Sequence, residues 1–142
     1  TEFVCSAWHD GCQPGSYVPS RGPFCHFPYG GRELKSPDFK VLVNADNLEA
    51  LAWVADSFGN VPRRAVEGCP RVDVFVGRNR QALGKVSKEQ RAAFVVDGEG
   101  EEVWYKWYQV LVVRKGPSAV AVEDVVYDGS AAAARAEEVT VA

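Results

Sequence analysis

Few residues in this chain could support catalysis, and the two imidazoles set the limit. His9 and His26 are the only histidines, and the sequence has no Gly-x-Ser-x-Gly turn that would expose a nucleophilic serine. A serine-type hydrolase needs a hydroxyl, an imidazole and a carboxylate in contact. His9 next to Asp10 in the sequence is only weak evidence for such a catalytic group. A surface histidine is the simpler interpretation. The sequence therefore predicts no catalytic residues.

Metal and phosphate chemistry also lack support. Cys25 and His26 are adjacent, but no two cysteines have the spacing of roughly two to four residues found in structural zinc sites. The segments GGRE and GEGEE lack the Lys-Ser/Thr pair of a phosphate-binding loop. The formal net charge of −3 provides no basic excess for neutralising nucleic-acid phosphates. We predict no metal, no cofactor and no nucleic-acid partner.

Two local features could bind a ligand. The segment EEVWYKWYQVL (101–111) sets four aromatic residues around Lys106, and large, partly polar rings suit the C–H faces of sugars. Alternate strand residues face opposite sides, so core packing could account for either Trp104 or Trp107. Lys85, in LGKV, follows a glycine that we assign to a tight turn, where its ammonium could donate to hydroxyl oxygens. Solvation of an ordinary surface lysine is the alternative.

The elements that would position these residues occur twice. Shifting the chain by 69 residues aligns Pro14–Asn44 with Leu83–Val113 without a gap, and FVCSAW upstream corresponds to FVGRNR. Apolar residues alternate near the end of both copies, which predicts half-buried strands. Six aligned positions are identical, namely Gly15/Gly84, Gly31/Gly100, Glu33/Glu102, Val41/Val110, Leu42/Leu111 and Val43/Val112.

Almost every element is predicted to be a strand, which makes the fold class all-β. Glycine- and proline-containing turns separate the predicted strands. Residues 46–55 have some helical character with Asp46 as an N-cap, although an irregular crossover fits equally well. The predicted strands lie near residues 2–6, 23–28, 39–43, 72–77, 92–96, 103–113 and 119–127.

The repeat predicts one domain over residues 1–116, with copies at about 3–44 and 75–113. The first copy has no preceding counterpart of Trp53–Gly68, so that piece must be absent or supplied by another segment. Two intertwined, pseudo-symmetric β units would supply it. Residues 117–142 form a separate acidic segment, with five acids and one basic residue.

The cysteine count bears on where the protein resides. Four cysteines in a chain without methionine favour a secreted protein with two disulfides, and sequence allows three pairings. Four buried thiols in a cytosolic protein are the alternative. The cysteines are Cys5, Cys12, Cys25 and Cys69.

Six segments of the chain, taken together, resemble a known protein family more specifically than any one of them does. The chain resembles the N-terminal lectin-like region of the natterin family, a tandem repeat shared with bivalve mannose-specific lectins. The tail VEDVVYDGSAAAARAEEVTVA resembles the lead-in to an aerolysin-type pore-forming module. The segments that carry the likeness are TEFVC, GSYVPSRGPFCHFPYGGREL, FKVLVNADNLEALAWV, FGNVPRRAVEGC, VFVGRNRQALGKV and EVWYKWYQVL.

The resemblance implies metal-free recognition of mannose-type glycans. In the bivalve lectins a lysine after a Pro-Gly turn and an acidic residue from the preceding loop hold the sugar. Carried over by position, these are Lys85 with Glu67 or Asp73, whereas the first copy has Ser16 in place of the lysine. Three further side chains complete the predicted glycan-binding set: Arg78, Trp104 and Trp107.

Our leading hypothesis is a carbohydrate-binding domain of a secreted defence or venom protein. It would target a pore-forming module to cell-surface glycans or glycoproteins, as a monomer or as a homo-oligomer. A structural or protein-interaction domain with a degenerate sugar site is the first alternative. The second is a protease, because some fish-venom natterins are described as cleaving kininogen.

Overall fold

The computed structural model describes residues 1–44, 49–114 and 125–128, and its regular elements are strands apart from one 3₁₀ turn at Pro19–Arg21. The all-β prediction is confirmed. In the described ranges no helix has the length and apolar character needed to cross a membrane. The strands are β1 (Phe3–Trp8), β2 (Cys12–Tyr17), β3 (Cys25–Tyr29), β4 (Arg32–Ser36), β5 (Phe39–Asn44), β6 (Ala50–Ser57), β7 (Val74–Arg78), β8 (Leu83–Ser87), β9 (Ala92–Val96), β10 (Glu102–Tyr105), β11 (Trp107–Arg114) and β12 (Val125–Asp128).

The strands form two antiparallel six-stranded sheets with equivalent orders. The first sheet runs β12-β5-β1-β2-β3-β4, and the second runs β6-β11-β7-β8-β9-β10. Strands β1 to β5 therefore correspond one by one to β7 to β11. We call these two groups the first and second units. The repeat in the sequence is a repeat in the structure.

A core cluster joins the two units, and equivalent residues contribute to it from both sides. Val4 and Leu42 come from the first unit, and their counterparts Val76 and Leu111 come from the second. All four side chains are almost completely buried, as alternating apolar residues facing a shared interior should be. Because each unit covers the other's apolar face, this core holds the units together.

Two glycines of the repeat allow neighbouring strands to pack closely. A Cβ on Gly15 would lie 2.0 Å from the carbonyl oxygen of His26, and one on Gly84 would lie 2.0 Å from that of Phe94. Both glycines lie inside strands, so the prediction that Gly84 belongs to a tight turn is wrong. The gapless alignment also needs one correction, because His26 matches Phe94 at an offset of 68 (94 − 26) rather than 69.

The other repeated glycines end the third strand of each unit and join the units. Gly31 and Gly100 have φ of 87° and 78°, a region that glycine occupies without steric cost. The N–H of Glu33 donates to the carbonyl of Gly100 at 2.8 Å, and the N–H of Glu102 donates to that of Gly31 at 3.0 Å. The repeated Gly-x-Glu sequence thus forms a reciprocal pair of hydrogen bonds between the two hairpins.

Each sheet is closed by a strand from outside the repeated copies. Strand β6, which follows the first copy, pairs antiparallel along β11 of the second unit. Strand β12, which follows the second copy, pairs antiparallel with β5 of the first unit. The piece missing before the first copy is thus replaced by a later segment, and the units exchange one closing strand.

Two disulfides form, and both involve the first unit. Cys5–Cys25 joins β1 to β3 inside the core of that unit, whereas Cys12–Cys69 ties β2 to the segment that precedes β7. No cysteine in the chain is free. The first bond stabilises one unit, and the second fastens the connection between units.

Several strand predictions need correction. The sequence does not predict strands β2, β4 and β8, because their Gly, Pro, Ser and charged residues favour turns when propensity alone is considered, and it does not predict β6, whose composition suits a helix. The predicted strand 103–113 is divided at Lys106 into β10 and β11. Pairing with neighbouring strands outweighs local propensity at these positions.

The predicted helical character of residues 46–55 is also wrong where the structure describes it. Residues 50–57 form β6, and residues 45–48, with the proposed cap Asp46, lie outside the described residues. Leu51 and Trp53 pack on the shared core at the two-residue period of a strand. For the predicted strand 119–127, only 125–127 lies within the described residues, as part of β12.

Candidate functional site

Lys85 lies at the junction of the two units and is buried, with 8% of its surface exposed. From β8 its ammonium crosses to the first unit, where it donates to the side-chain oxygen of Gln13 and to the carbonyl of Pro28 at 3.3 Å. The ring centroids of Tyr29 and Phe94 lie 5.6 and 5.7 Å from Nζ. The exposed lysine expected from the sequence is therefore a cation enclosed between the units.

Polar groups surround this ammonium. Burial lowers the pKa of Lys85, and the negative charge of Glu102 partly opposes the shift. Glu102 also accepts a hydrogen bond from the N–H of Gly31 at 3.1 Å, and the hydroxyl of Tyr29 donates to the carboxylate of Asp10. In this environment the ammonium satisfies the acceptors of Gln13 and Pro28 and is attracted to the charge of Glu102.

Neither acidic residue expected beside Lys85 is among its hydrogen-bond partners. Glu67 and Asp73 are exposed, and their contacts are through the main chain. Glu67 forms a β-bridge with Phe75, and the carbonyl of Asp73 accepts a hydrogen bond from Lys88. A sugar site made of Lys85 with Glu67 or Asp73 remains a prediction.

Arg78, another predicted neighbour of the sugar, is also buried and already has partners. Its exposed fraction is 7%, its Nε donates to Gln109 at 2.7 Å, and its guanidinium lies 4.4 Å from the ring centroid of Trp53. Burial lowers the pKa of Arg78. These contacts fasten β7 to β11 and β6, which is a structural role.

Trp104 and Trp107, by contrast, are exposed to solvent. The exposed fractions are 61% for Trp104 and 70% for Trp107, and Phe58 nearby is 42% exposed. An indole loses a large hydrophobic contribution when it stays in water, so two exposed indoles on strands that follow each other in the chain indicate a binding surface. We call Phe58, Trp104 and Trp107 the aromatic edge.

Lys106 holds the aromatic edge together. Its ammonium donates to the carbonyl of Arg91 at 2.9 Å and lies 5.6 Å from the ring centroid of Trp104. Its carbonyl accepts the N–H of Phe58 at 2.8 Å, and the ring of Phe58 meets that of Trp107 edge-on at 5.1 Å. The break between β10 and β11 at Lys106 thus places Trp107 against the loop after β6, while the ammonium of Lys106 lies over Trp104.

An open groove adjoins the aromatic edge. It has a volume of about 470 Å³, and its lining comes from two loops, the one after β6 and the one between β8 and β9. Phe58 and Arg91, one in each loop, have left-handed φ values of 55° and 59°, a conformation that costs on the order of 1 kcal/mol or more outside glycine. The lining residues are Phe58, Gly59, Asn60, Val61, Lys88 and Arg91.

Sequence reasoning found the two indoles but missed the rest of this surface. Phe58, Lys88 and Arg91 lie in loops whose side chains gave no repeated pattern. The Gly59 that follows Phe58 was a visible turn signal, and it permits close packing, since a Cβ there would lie 2.6 Å from the Cα of Arg91. No group of three or more potential metal ligands occurs among the described residues.

Comparison with known proteins identifies the family of this chain. The DM9 repeat family matches residues 1–105. Three proteins of Thalassophryne nattereri are similar: Natterin-3 is 45% identical over 114 residues, Natterin-2 is 37% identical over 128, and Natterin-4 is 39% identical over 113. These matches cover 80–89% of this chain.

The same matches cover 28–33% of each natterin, so the chain spans about a third of the length of these relatives. The two structurally equivalent units are the physical form of the tandem repeat that the family model describes. The resemblance to the natterin family is confirmed, and the chain belongs to the DM9 repeat family as a natterin-like domain.

Proposed function

We propose that this domain binds carbohydrate and that the aromatic edge is its binding surface. The observation that carries the proposal is the exposure of Trp104 and Trp107, at 61% and 70%, beside an open groove with polar and cationic walls. Indole faces stack on the C–H faces of sugar rings, while amide, ammonium and guanidinium groups donate to or accept from sugar oxygens. The edge offers both kinds of contact within one surface.

The natterin-like context supports a targeting role. Two disulfides are consistent with an oxidising, extracellular environment, so we propose that the domain is secreted. It would bind surface glycans on behalf of a pore-forming module lying beyond residue 142, in a defence or venom protein. Mannose-type glycans are the first class to test, since the resemblance to mannose-specific lectins points to them.

A structural or protein-interaction role is the alternative that one observation favours. Lys85 is enclosed by Gln13 and Pro28, so the ammonium implied by the resemblance already has protein partners. Exposed tryptophans are also common at protein interfaces. The protease alternative gains nothing here, because the ring of His9 packs against Phe27 and Tyr29, and His26 pairs with Glu33 at 3.0 Å.

A matched pair of tryptophan substitutions tests the proposal. Trp107→Ala should weaken binding of the best ligand from a glycan array by about tenfold, since one stacked ring is worth roughly 1.4 kcal/mol. Trp8→Ala is the control, because Trp8 is equally exposed at 70% but belongs to the first unit. Titration calorimetry of both variants measures the difference.

Three outcomes would contradict the proposal. The first is that no glycan, mannose included, binds at millimolar concentration. The second is that both substitutions weaken binding equally. The third is that Trp107→Ala abolishes capture of a purified protein partner while leaving glycan binding intact, which would establish the protein-interaction alternative.

A further inference from the structure

The groove beside the aromatic edge carries positive charge that the protein leaves without ion-pair partners. Lys88 and Arg91 line it, and Lys106 borders it. Among the described residues, Glu33 forms an ion pair with Arg21 and accepts a hydrogen bond from His26, whose pKa is lowered by burial, and both contacts lie in the first unit. No described carboxylate lies within ion-pair distance of these three cations.

The backbone beneath this charge is fixed. Arg91 occupies the left-handed region, its N–H donates to Ser87 at 2.8 Å, and its carbonyl accepts from Lys106. Its Nε makes a long contact of 3.5 Å with the carbonyl of Phe58, whereas its terminal nitrogens have no acceptor among the described residues. The fork of the guanidinium is thus free to bind a ligand from a defined position.

Acidic groups near the groove are few. Glu89 shares the turn with Lys88 and Arg91 and is exposed, and the main chain of Asp73 contacts Lys88. Lys88 Nζ lies over the ring of Phe75 at 5.4 Å from its centroid. This ring contact is a cation–π contact and does not neutralise the ammonium. Three cations against two nearby exposed acids, Glu89 and Asp73, leave a small local positive charge on a chain whose overall charge is −3.

We propose that the groove binds the sulfate group of an acidic saccharide whose ring stacks on Trp107. Guanidinium groups bind sulfate and carboxylate through paired hydrogen bonds, and an ammonium adds a point charge. Phe58 belongs both to the groove and to the aromatic edge, so a ring on Trp107 places its substituent near Arg91. This inference rests on the proposed carbohydrate-binding function and specifies its ligand class.

The test compares a sulfated heparin oligosaccharide with its desulfated form and with neutral mannan. We expect the sulfated ligand to bind about tenfold more tightly than the desulfated one, and increasing salt to reduce this preference. The double variant Lys88→Gln/Arg91→Asn should lose the preference for the sulfated ligand, and its affinity for that ligand should fall more than its affinity for neutral mannan. Asn is chosen at position 91 because it tolerates a positive φ.

A charge-matched control separates the groove from general electrostatics. Lys40→Gln/Arg80→Gln removes the same charge from exposed positions outside the groove and should leave the sulfate preference unchanged. Equal loss in both double variants, or equal binding of sulfated and desulfated ligands, overturns this inference. Stronger binding to phosphatidylserine vesicles than to any saccharide also overturns it, in favour of a lipid surface.

The two proposals fail in different ways. If neutral glycans bind and the groove substitutions change nothing, the inference about acidic saccharides fails and the carbohydrate-binding function stands. If neither neutral nor acidic saccharides bind, both fail.

Discussion

Ser16 and Lys85 occupy the same place in the two units and have different roles. Each follows the glycine that packs against the third strand of its unit. Each also pairs with a residue of that third strand, Ser16 with His26 and Lys85 with Phe94. Ser16 donates to Glu2 within its own unit. Lys85 crosses to the other unit and becomes a buried cation at the junction.

The cores of the two units also have different side chains at equivalent positions. The first unit holds the cystine Cys5–Cys25, and the second has Gly77 and Ala93 at these places, with the side chain of Val86 filling the space. Positions that determine how strands approach one another are alike in the two copies. Side chains that only need to fill a volume or meet a partner have diverged, and so has the exposed surface.

The largest expected effect is a loss of folding stability when either of two equivalent glycines, one in each unit, is replaced. Gly15→Ala or Gly84→Ala would place a methyl 2.0 Å from a carbonyl oxygen, so each should destabilise the fold by more than about 4 kcal/mol or prevent folding. Thermal unfolding measures the change, with Gly98→Ala as the control because a Cβ there meets no atom within 4 Å. Tolerance at only one of Gly15 and Gly84 would break the equivalence of the units.

The second largest expected effect is the stability lost when a disulfide is removed. Replacing Cys12 and Cys69 by Ser should cost about 4 kcal/mol, and replacing Cys5 and Cys25 about 3 kcal/mol, because the sequence separations are 57 and 20 residues. Urea unfolding of the two double variants gives both values. The reverse order would mean that packing of the first core, rather than loop closure, governs the contribution.

The smallest expected effect separates a structural from a binding role for Lys85. Lys85→Met should destabilise the protein by about 1–3 kcal/mol, because it leaves Gln13 and Pro28 with unpaired acceptors. Ser16→Ala should cost less than about 1 kcal/mol. We expect Lys85→Met to leave glycan affinity within about twofold, measured by calorimetry at a temperature where the variant is folded. A loss of binding without a loss of stability would restore the Lys85-centred site.

The repeat, the fold class and the family could be predicted because they depend on spacing. Identical glycines and alternating apolar residues recur at offsets that survive in the folded chain, and the two indoles were found by their type. Strands β2 and β8 could not be predicted from propensity, because Pro14, Gly15 and Gly84 favour turns in isolation. Tertiary packing of these glycines against a neighbouring strand decides their conformation.

The site was less predictable for a related reason. Lys85 was assigned to the surface because lysine usually lies there, and its enclosure depends on Gln13 and Pro28, which are distant in sequence. The groove residues Phe58 and Arg91 come together only when the loop after β6 meets the loop between β8 and β9. Neither arrangement leaves a pattern in a single sequence.

The exchange of closing strands has a mechanical consequence. Strand β12 leaves the second unit and attaches to β5 of the first, so tension applied to the chain beyond Asp128 would load four residues at the edge of the first sheet. The aromatic edge and its groove belong to the other sheet. A moving segment attached there could therefore pull on one half of the domain while a ligand held by the other half stays in place.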